Sequence, residues 1–128
     1  MRRHFLACTV LLPLVGCTAR DADPPRPAAV VFFTEESVAL DEAAQRVIAD
    51  AAAAARGRSG PVRVLGFAAP PGSVGFNRAL SDARARHVAD GLRAAGVSAE
   101  RIRVEPRGAV SFEALPTESR RVEIVVGG

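Results

Sequence analysis

The hydrophobic and polar positions of the chain divide it into short apolar runs and longer segments with helical periodicity. The run 29–33 is short and continuously apolar, which is typical of a buried strand. Asp41 can cap a helix, and after it apolar residues recur at helical spacing as far as Arg56: Ala44, Val47, Ile48, Ala51 and Ala55. Gly57 is suited to end this helix.

The rest of the chain repeats this alternation. Residues 62–67 predict a second strand, and a Pro- and Gly-rich loop over 68–75 leads into a helix from about Val74 to Ala95 that ends at Gly96. Residues 102–104 and 121–126 predict two more strands. The order β-α-β-α-β-β predicts an α/β (α+β) fold, a two-layer sandwich in which two helices pack on a small mixed sheet.

The second helix has one polar anomaly on its core-facing side. At 100° per residue this side carries Asn77, Leu80, Ser81, Arg84, Val88, Gly91, Leu92 and Ala95. The opposite side carries Arg78, Asp82, Arg86, Ala89, Asp90 and Arg93. A guanidinium on the core-facing side needs carboxylate or carbonyl partners. Two interpretations of Arg84 stay open: an internal acid satisfies it, or it reaches past the helix edge to hold a ligand anion.

The first residues have the order of a secretory signal. A basic start with Arg2 and Arg3 is followed by an apolar run over 5–15 that is too short to span a bilayer. The run ends in Leu14-Val15-Gly16-Cys17, which resembles the lipobox of bacterial lipoproteins. This resemblance implies lipidation of Cys17 and cleavage before it, so we predict a signal peptide over 1–16. The alternative is an ordinary signal peptide that happens to contain a Cys.

Residues 17–28 predict a lipidated Cys followed by a Pro-rich tether. Pro24, Pro25 and Pro27 stand among alternating charges without a hydrophobic period, as in a semi-rigid solvated spacer. Eleven residues extend at most about 40 Å, so the domain over 29–128 should work close to the membrane surface. By analogy with enterobacterial sorting, Thr18 after the Cys suggests the outer membrane, with the domain in the periplasm.

Composition and charge exclude several classes of function. The net charge of +3 includes two Arg of the leader, and no basic stripe with interleaved aromatics appears, so we expect no nucleic-acid partner. Cys8 and Cys17 are the two Cys, so the domain has no thiol for a disulfide or a metal. His87 is the one His beyond the leader, and no catalytic or paired-His motif is present. We therefore expect that the protein has no enzymatic activity and binds neither a metal nor a cofactor.

About residues 29–126 resemble the OmpA-like C-terminal domain, a periplasmic module that binds peptidoglycan. The resemblance is carried by the opening run and by a central and a closing signature: Gly66, Gly72-Ser73, Phe76-Asn77, Leu80-Ser81, Arg84-Ala85 and Arg120-Arg121-Val122-Glu123-Ile124. It implies the fold predicted above. It also implies non-covalent association with peptidoglycan, which would link the outer membrane to the cell wall.

The same resemblance implies where the ligand binds. The family's Arg, which grips the carboxylate of the diaminopimelate in the stem peptide, falls on Arg84, and Asn77 belongs to the same signature. The family's Asp, which receives the ammonium, falls on Ala69, so this acid is missing. Ser119 stands where the closing motif has Asn. Because a hydrogen bond to a charged group contributes about 1.5–3 kcal/mol, the missing acid could weaken binding roughly ten- to a hundred-fold.

The alternative function is that of a degenerate OmpA-like domain that acts as a protein-interaction module in an envelope assembly. In that case Phe67 and Phe76, which lie near the altered pocket in sequence, could form an apolar contact with a partner. Core packing is the preferred interpretation of both side chains.

Overall fold

The computed structural model describes residues 27–111 and 115–128, so the leader, Cys17 and most of the tether lie outside the described residues. The strands are β1 (Ala29–Phe32), β2 (Val62–Ala68), β3 (Ile102–Ala109) and β4 (Arg121–Val126), and the helices are α1 (Glu42–Arg56) and α2 (Val74–Ala94). Two short 3₁₀ turns, Ala99–Arg101 and Pro116–Glu118, complete the path. The predicted β-α-β-α-β-β order is confirmed.

The four strands form one mixed sheet in the order β1-β4-β2-β3. β4 pairs antiparallel with both β1 and β2, whereas β2 and β3 run parallel. β3 is longer than the 102–104 predicted and continues through Pro106. A Pro is tolerated there because β3 is an edge strand, where a missing N–H breaks no second ladder.

The core lies between one face of the sheet and the two helices, as the two-layer prediction requires. It is built from aliphatic side chains and alanines, with no buried aromatic ring in the cluster except Phe33. Its fully or almost fully buried members include Val31, Ile48, Val62, Val64, Val88, Leu92, Val122 and Ile124. The other face of the sheet carries ion pairs instead, such as Arg63–Glu105 at 2.6 Å.

Local sequence signals set the ends of both helices. The Asp41 carboxylate accepts from the backbone N–H of Ala44 at 2.7 Å, which confirms the predicted cap, and Gly57 is the C-terminal cap. α2 ends at Ala94, and the predicted stop Gly96 follows with φ +100° while the N–H of Val97 bonds back to the carbonyl of Leu92 in the last turn. Ala89 is buried, contrary to its predicted place on the charged side, because β3 covers that flank of α2.

A glycine lets α2 lie directly against the sheet. A Cβ built at Gly66 of β2 would stand 2.0 Å from the backbone oxygen of Ser81. The hydroxyl of Ser81 accepts from the N–H of Gly108 at 3.0 Å, which ties α2 to β3. This close approach fixes the register of α2 on the sheet and places Arg84, less than one turn later, beside the end of β2. Within the described part of the chain, no helix has the length and apolar character to cross a membrane.

We expect Gly66→Ala to lower the free energy of unfolding by about 3 kcal/mol or more, because the added methyl meets backbone that cannot yield. Urea denaturation followed by circular dichroism measures this change. Gly75→Ala is the matched control, since a Cβ there meets nothing within 4 Å. A Gly66→Ala variant as stable as Gly75→Ala would contradict the close approach.

Candidate functional site

The side chain of Arg84 is fully buried, and backbone carbonyls satisfy it. Nε donates to the carbonyl of Ser37 at 2.9 Å, Nη2 to that of Thr34 at 3.1 Å and Nη1 to that of Phe67 at 3.3 Å. Among residues 27–111 and 115–128 no carboxylate forms an ion pair with Arg84. The internal acid that the sequence allowed is therefore not found there, and carbonyls take its place.

These hydrogen bonds pin one loop to the end of β2. Thr34 and Ser37 belong to the loop between β1 and α1, and Phe67 belongs to β2. One turn further along α2, Nδ1 of His87 lies 2.6 Å from the carbonyl oxygen of Val38 and holds the same loop. The loop is therefore positioned from the helix side chains, although it has no regular structure of its own.

Arg84 remains charged at neutral pH in spite of its burial. Desolvation, together with the nearby positive charge of Arg120, lowers the pKa of Arg84 to about 10. Arg120 donates to the carbonyl of Phe33 at 3.2 Å and to the hydroxyl of Thr117 at 3.0 Å. Arg120 forms no ion pair with Glu35 or Glu36, the two described acids that share its surroundings. Two cations thus lie close together, and among the described residues neither is ion-paired with Glu35 or Glu36.

A pocket of about 100 Å³ opens beside these cations, between the pinned loop, the Pro-rich loop and the start of α2. Its polar lining consists of Glu35, Glu36, Asn77, Arg84 and Arg120, with Ala69 beside them. The three positions that the resemblance singled out, Arg84, Asn77 and Ala69, are therefore brought together. Arg84 lies at the floor with no exposed surface, while Arg120 is half-buried at the wall.

Sequence reasoning missed three residues of this pocket. The sequence marks Arg120 only as part of the closing signature, and it singles out neither Glu35 nor Glu36. No periodicity marks a loop residue, so the sequence offered no signal that these two acids face the start of α2. Ser119 is fully buried and does not line the pocket.

The expectation of core packing for the two Phe is wrong. Phe76 is 49% exposed and lines the pocket, because it follows the cap of α2 at a position that turns away from the sheet. Phe67 is half-buried outside the core cluster, and the guanidinium carbon of Arg121 lies 4.2 Å from its ring centroid. Phe67 belongs to the outer face of the sheet, where a cation covers it.

A larger hollow of about 320 Å³ lies between α2 and β3, but its charges are already paired. Arg86 bonds to Asp82 at 2.8 Å, and Arg93 pairs with Asp90. Charges that are already paired and exposed to solvent contribute little binding energy to a ligand. Among the described residues no cluster of three His, Cys, Asp or Glu could hold a metal ion. The pocket at Arg84 and Arg120 is therefore the candidate site.

The sequence pattern of the OmpA family matches residues 32–121. Outer membrane protein 40 of Porphyromonas gingivalis is 35% identical over 98 residues, which make up 76% of this chain and 25% of that protein. The chain thus spans about a quarter of the length of this curated relative.

Two solved structures show the same fold. The cell wall anchor of the T6SS from Pseudomonas aeruginosa is 31% identical with a TM-score of 0.62, over 76% of this chain and 78% of that one. The peptidoglycan-associated lipoprotein from Burkholderia pseudomallei is 21% identical with a TM-score of 0.70, over 76% and 88% of the two chains.

We expect Arg84→Met to lower the free energy of unfolding by about 3 kcal/mol, because three carbonyls lose their donor. Amide hydrogen exchange should also accelerate over residues 34–39. Arg86→Met is the control, since that exposed side chain pairs with Asp82 on the surface of the same helix, and its effect should stay within about 0.5 kcal/mol. Equal stability and equal exchange in the two variants would contradict the pinning role of Arg84.

Proposed function

The chain belongs to the OmpA family, and from this membership we propose that it associates non-covalently with peptidoglycan and links the outer membrane to the cell wall. Its ligand is the zwitterionic end of the diaminopimelate in the stem peptide. The role is binding rather than catalysis. The observation that carries the proposal is a pocket lined by two cations, Arg84 and Arg120, neither of which forms an ion pair with the acids Glu35 and Glu36 in the same lining.

Such a pocket favours a carboxylate. Burial, and secondarily the positive charge of Arg120, disfavour the charged form of Arg84 and lower its pKa, and a bound anion would stabilise that charged form. Guanidinium groups also suit a carboxylate because their N–H donors form a planar fork. Arg120 reaches the ligand directly from the wall, while Arg84 contributes charge from the floor. Asn77, also in the lining, offers a neutral polar group beside them.

The size of the pocket and one relative support wall binding. A pocket of about 100 Å³ has room for a small group such as the end of an amino acid. The solved relative that is 31% identical is a cell wall anchor. Because the pocket would bind a single peptide end, each domain would form one weak, non-covalent attachment to the wall, and many copies would attach at many points.

The anchor is a second part of the proposal. Cys17 carries lipid after removal of residues 1–16, and residues 18–28 tether the domain within about 40 Å of the outer membrane. The domain then lies in the periplasm, where peptidoglycan is within reach. Several acyl chains make the attachment durable, since burial stabilises by about 0.8 kcal/mol per methylene.

We expect the full chain to sediment with isolated sacculi and Arg120→Gln to reduce the bound fraction about ten-fold, because a charged donor is lost. Arg121→Gln is the matched control. Its guanidinium stacks on Phe67 and pairs with Glu123, and it does not line the pocket. Circular dichroism checks that both variants fold.

A folded wild-type chain that stays in the supernatant would contradict wall binding and favour the protein-interaction alternative. Equal loss of binding in Arg120→Gln and Arg121→Gln would mean that the pocket is not the contact.

For the anchor, we expect Cys17→Ser to abolish incorporation of labelled palmitate and to release the chain from the membrane fraction, because the acylated thiol is absent. Cys8→Ser, which changes only the leader, should leave labelling intact. Membrane retention of an unlabelled Cys17→Ser chain would contradict lipid anchoring.

A further inference from the structure

Charges of both signs line the candidate pocket without touching one another. Glu35 and Glu36 contribute the carboxylates, and Arg84 and Arg120 contribute the guanidinium groups. Within the part of the chain that the structure describes, none of these four side chains forms an ion pair with another. Opposite charges that share a pocket but remain apart leave space for a ligand that itself carries both charges.

An unsatisfied acceptor lies in the same lining. Asn77 is only 2% exposed, and its Oδ1 has no hydrogen-bond partner among the residues that the structure describes. A buried acceptor without a donor costs free energy, so a ligand N–H group would be favoured beside it. Neither guanidinium bonds to this atom, although both line the pocket. Oδ1 of Asn77 is therefore free to accept a hydrogen bond from an N–H group of a ligand.

The loop that carries the two acids is held in place on both sides of them. Arg84 binds the carbonyls of Thr34 and Ser37, which bracket Glu35 and Glu36 in the chain. Both Glu side chains are exposed, so neither is committed to the core. The bracketing keeps the two carboxylates at the pocket although the residues between the pins lie in a turn.

We propose that Glu35 and Glu36, together with Oδ1 of Asn77, bind the ammonium group of the ligand and replace the acid that is missing at Ala69. This inference rests on the proposed function, because it concerns the second half of the same peptide end. The methyl group of Ala69 can neither accept a hydrogen bond nor carry charge. The acids therefore come from the β1–α1 loop instead of the end of β2.

The test compares two synthetic stem tripeptides by calorimetric titration of the full chain. One ends in meso-diaminopimelate, and the other ends in 2-aminopimelate, which keeps the terminal carboxylate but lacks the second amine. We expect the wild-type chain to prefer the first peptide about ten-fold or more, since a charged hydrogen bond is at stake. Glu35→Gln/Glu36→Gln should lose this preference, because neutral amides give the second amine of diaminopimelate no charged acceptor.

Two further variants separate a local effect from a general one. Asp50→Asn/Glu100→Gln removes two exposed carboxylates that do not line the pocket, and it should keep the full preference. Adding Ala69→Asp to Glu35→Gln/Glu36→Gln should restore part of the preference, because an acid returns to the pocket from the β2 side.

The outcomes distinguish this inference from the function on which it rests. If the wild-type chain binds neither peptide nor sacculi, the proposed function fails and the inference fails with it. If the wild type prefers diaminopimelate and Glu35→Gln/Glu36→Gln keeps that preference, the inference alone is overturned. Equal binding of both peptides by the wild type would likewise show that the ammonium is not recognised.

Discussion

A buried guanidinium holds the functional end of this domain together. Arg84 donates to three backbone carbonyls, two in the β1–α1 loop and one at the end of β2. The loop has no regular structure, so this side chain takes the role that a strand ladder plays elsewhere in the sheet. Because carbonyls bind a cation without neutralising it, the same interaction that orders the loop leaves positive charge at the pocket.

That charge connects stability with binding. If an internal carboxylate paired with this guanidinium, the two charges would neutralise each other. The pair would then attract a ligand anion little. Here desolvation and the proximity of Arg120 disfavour the charged form of Arg84, which lowers its pKa. A ligand carboxylate beside the two guanidinium groups would be stabilised by their positive charge. In the function that we propose, the side chain that orders the loop also favours binding of an anion.

The placement of this cation depends on packing further down the helix. α2 touches the sheet at Gly66, where a side chain as small as a methyl would collide with the backbone at Ser81. The hydroxyl of Ser81 holds β3 from the same turn. Because α2 lies this close to the sheet, its position along β2 is fixed. Arg84 is therefore placed where it donates to the loop carbonyls of Thr34 and Ser37. The loss of an acid at Ala69 leaves this framework intact, because Ala69 takes no part in it.

The sequence by itself determined the order of the elements, the mixed two-layer architecture and the helix ends, because periodicity and caps such as Asp41 are local properties. It also singled out Arg84 as a charge on a core-facing stripe, and resemblance marked Asn77 and Ala69. Tertiary structure decided what satisfies Arg84, that Phe76 lines a pocket and that β3 covers Ala89. It also decided that Glu35 and Glu36 face the start of α2. Such contacts join residues tens of positions apart in the sequence. A loop also lacks the hydrophobic periodicity that predicts which side of a helix or strand is buried.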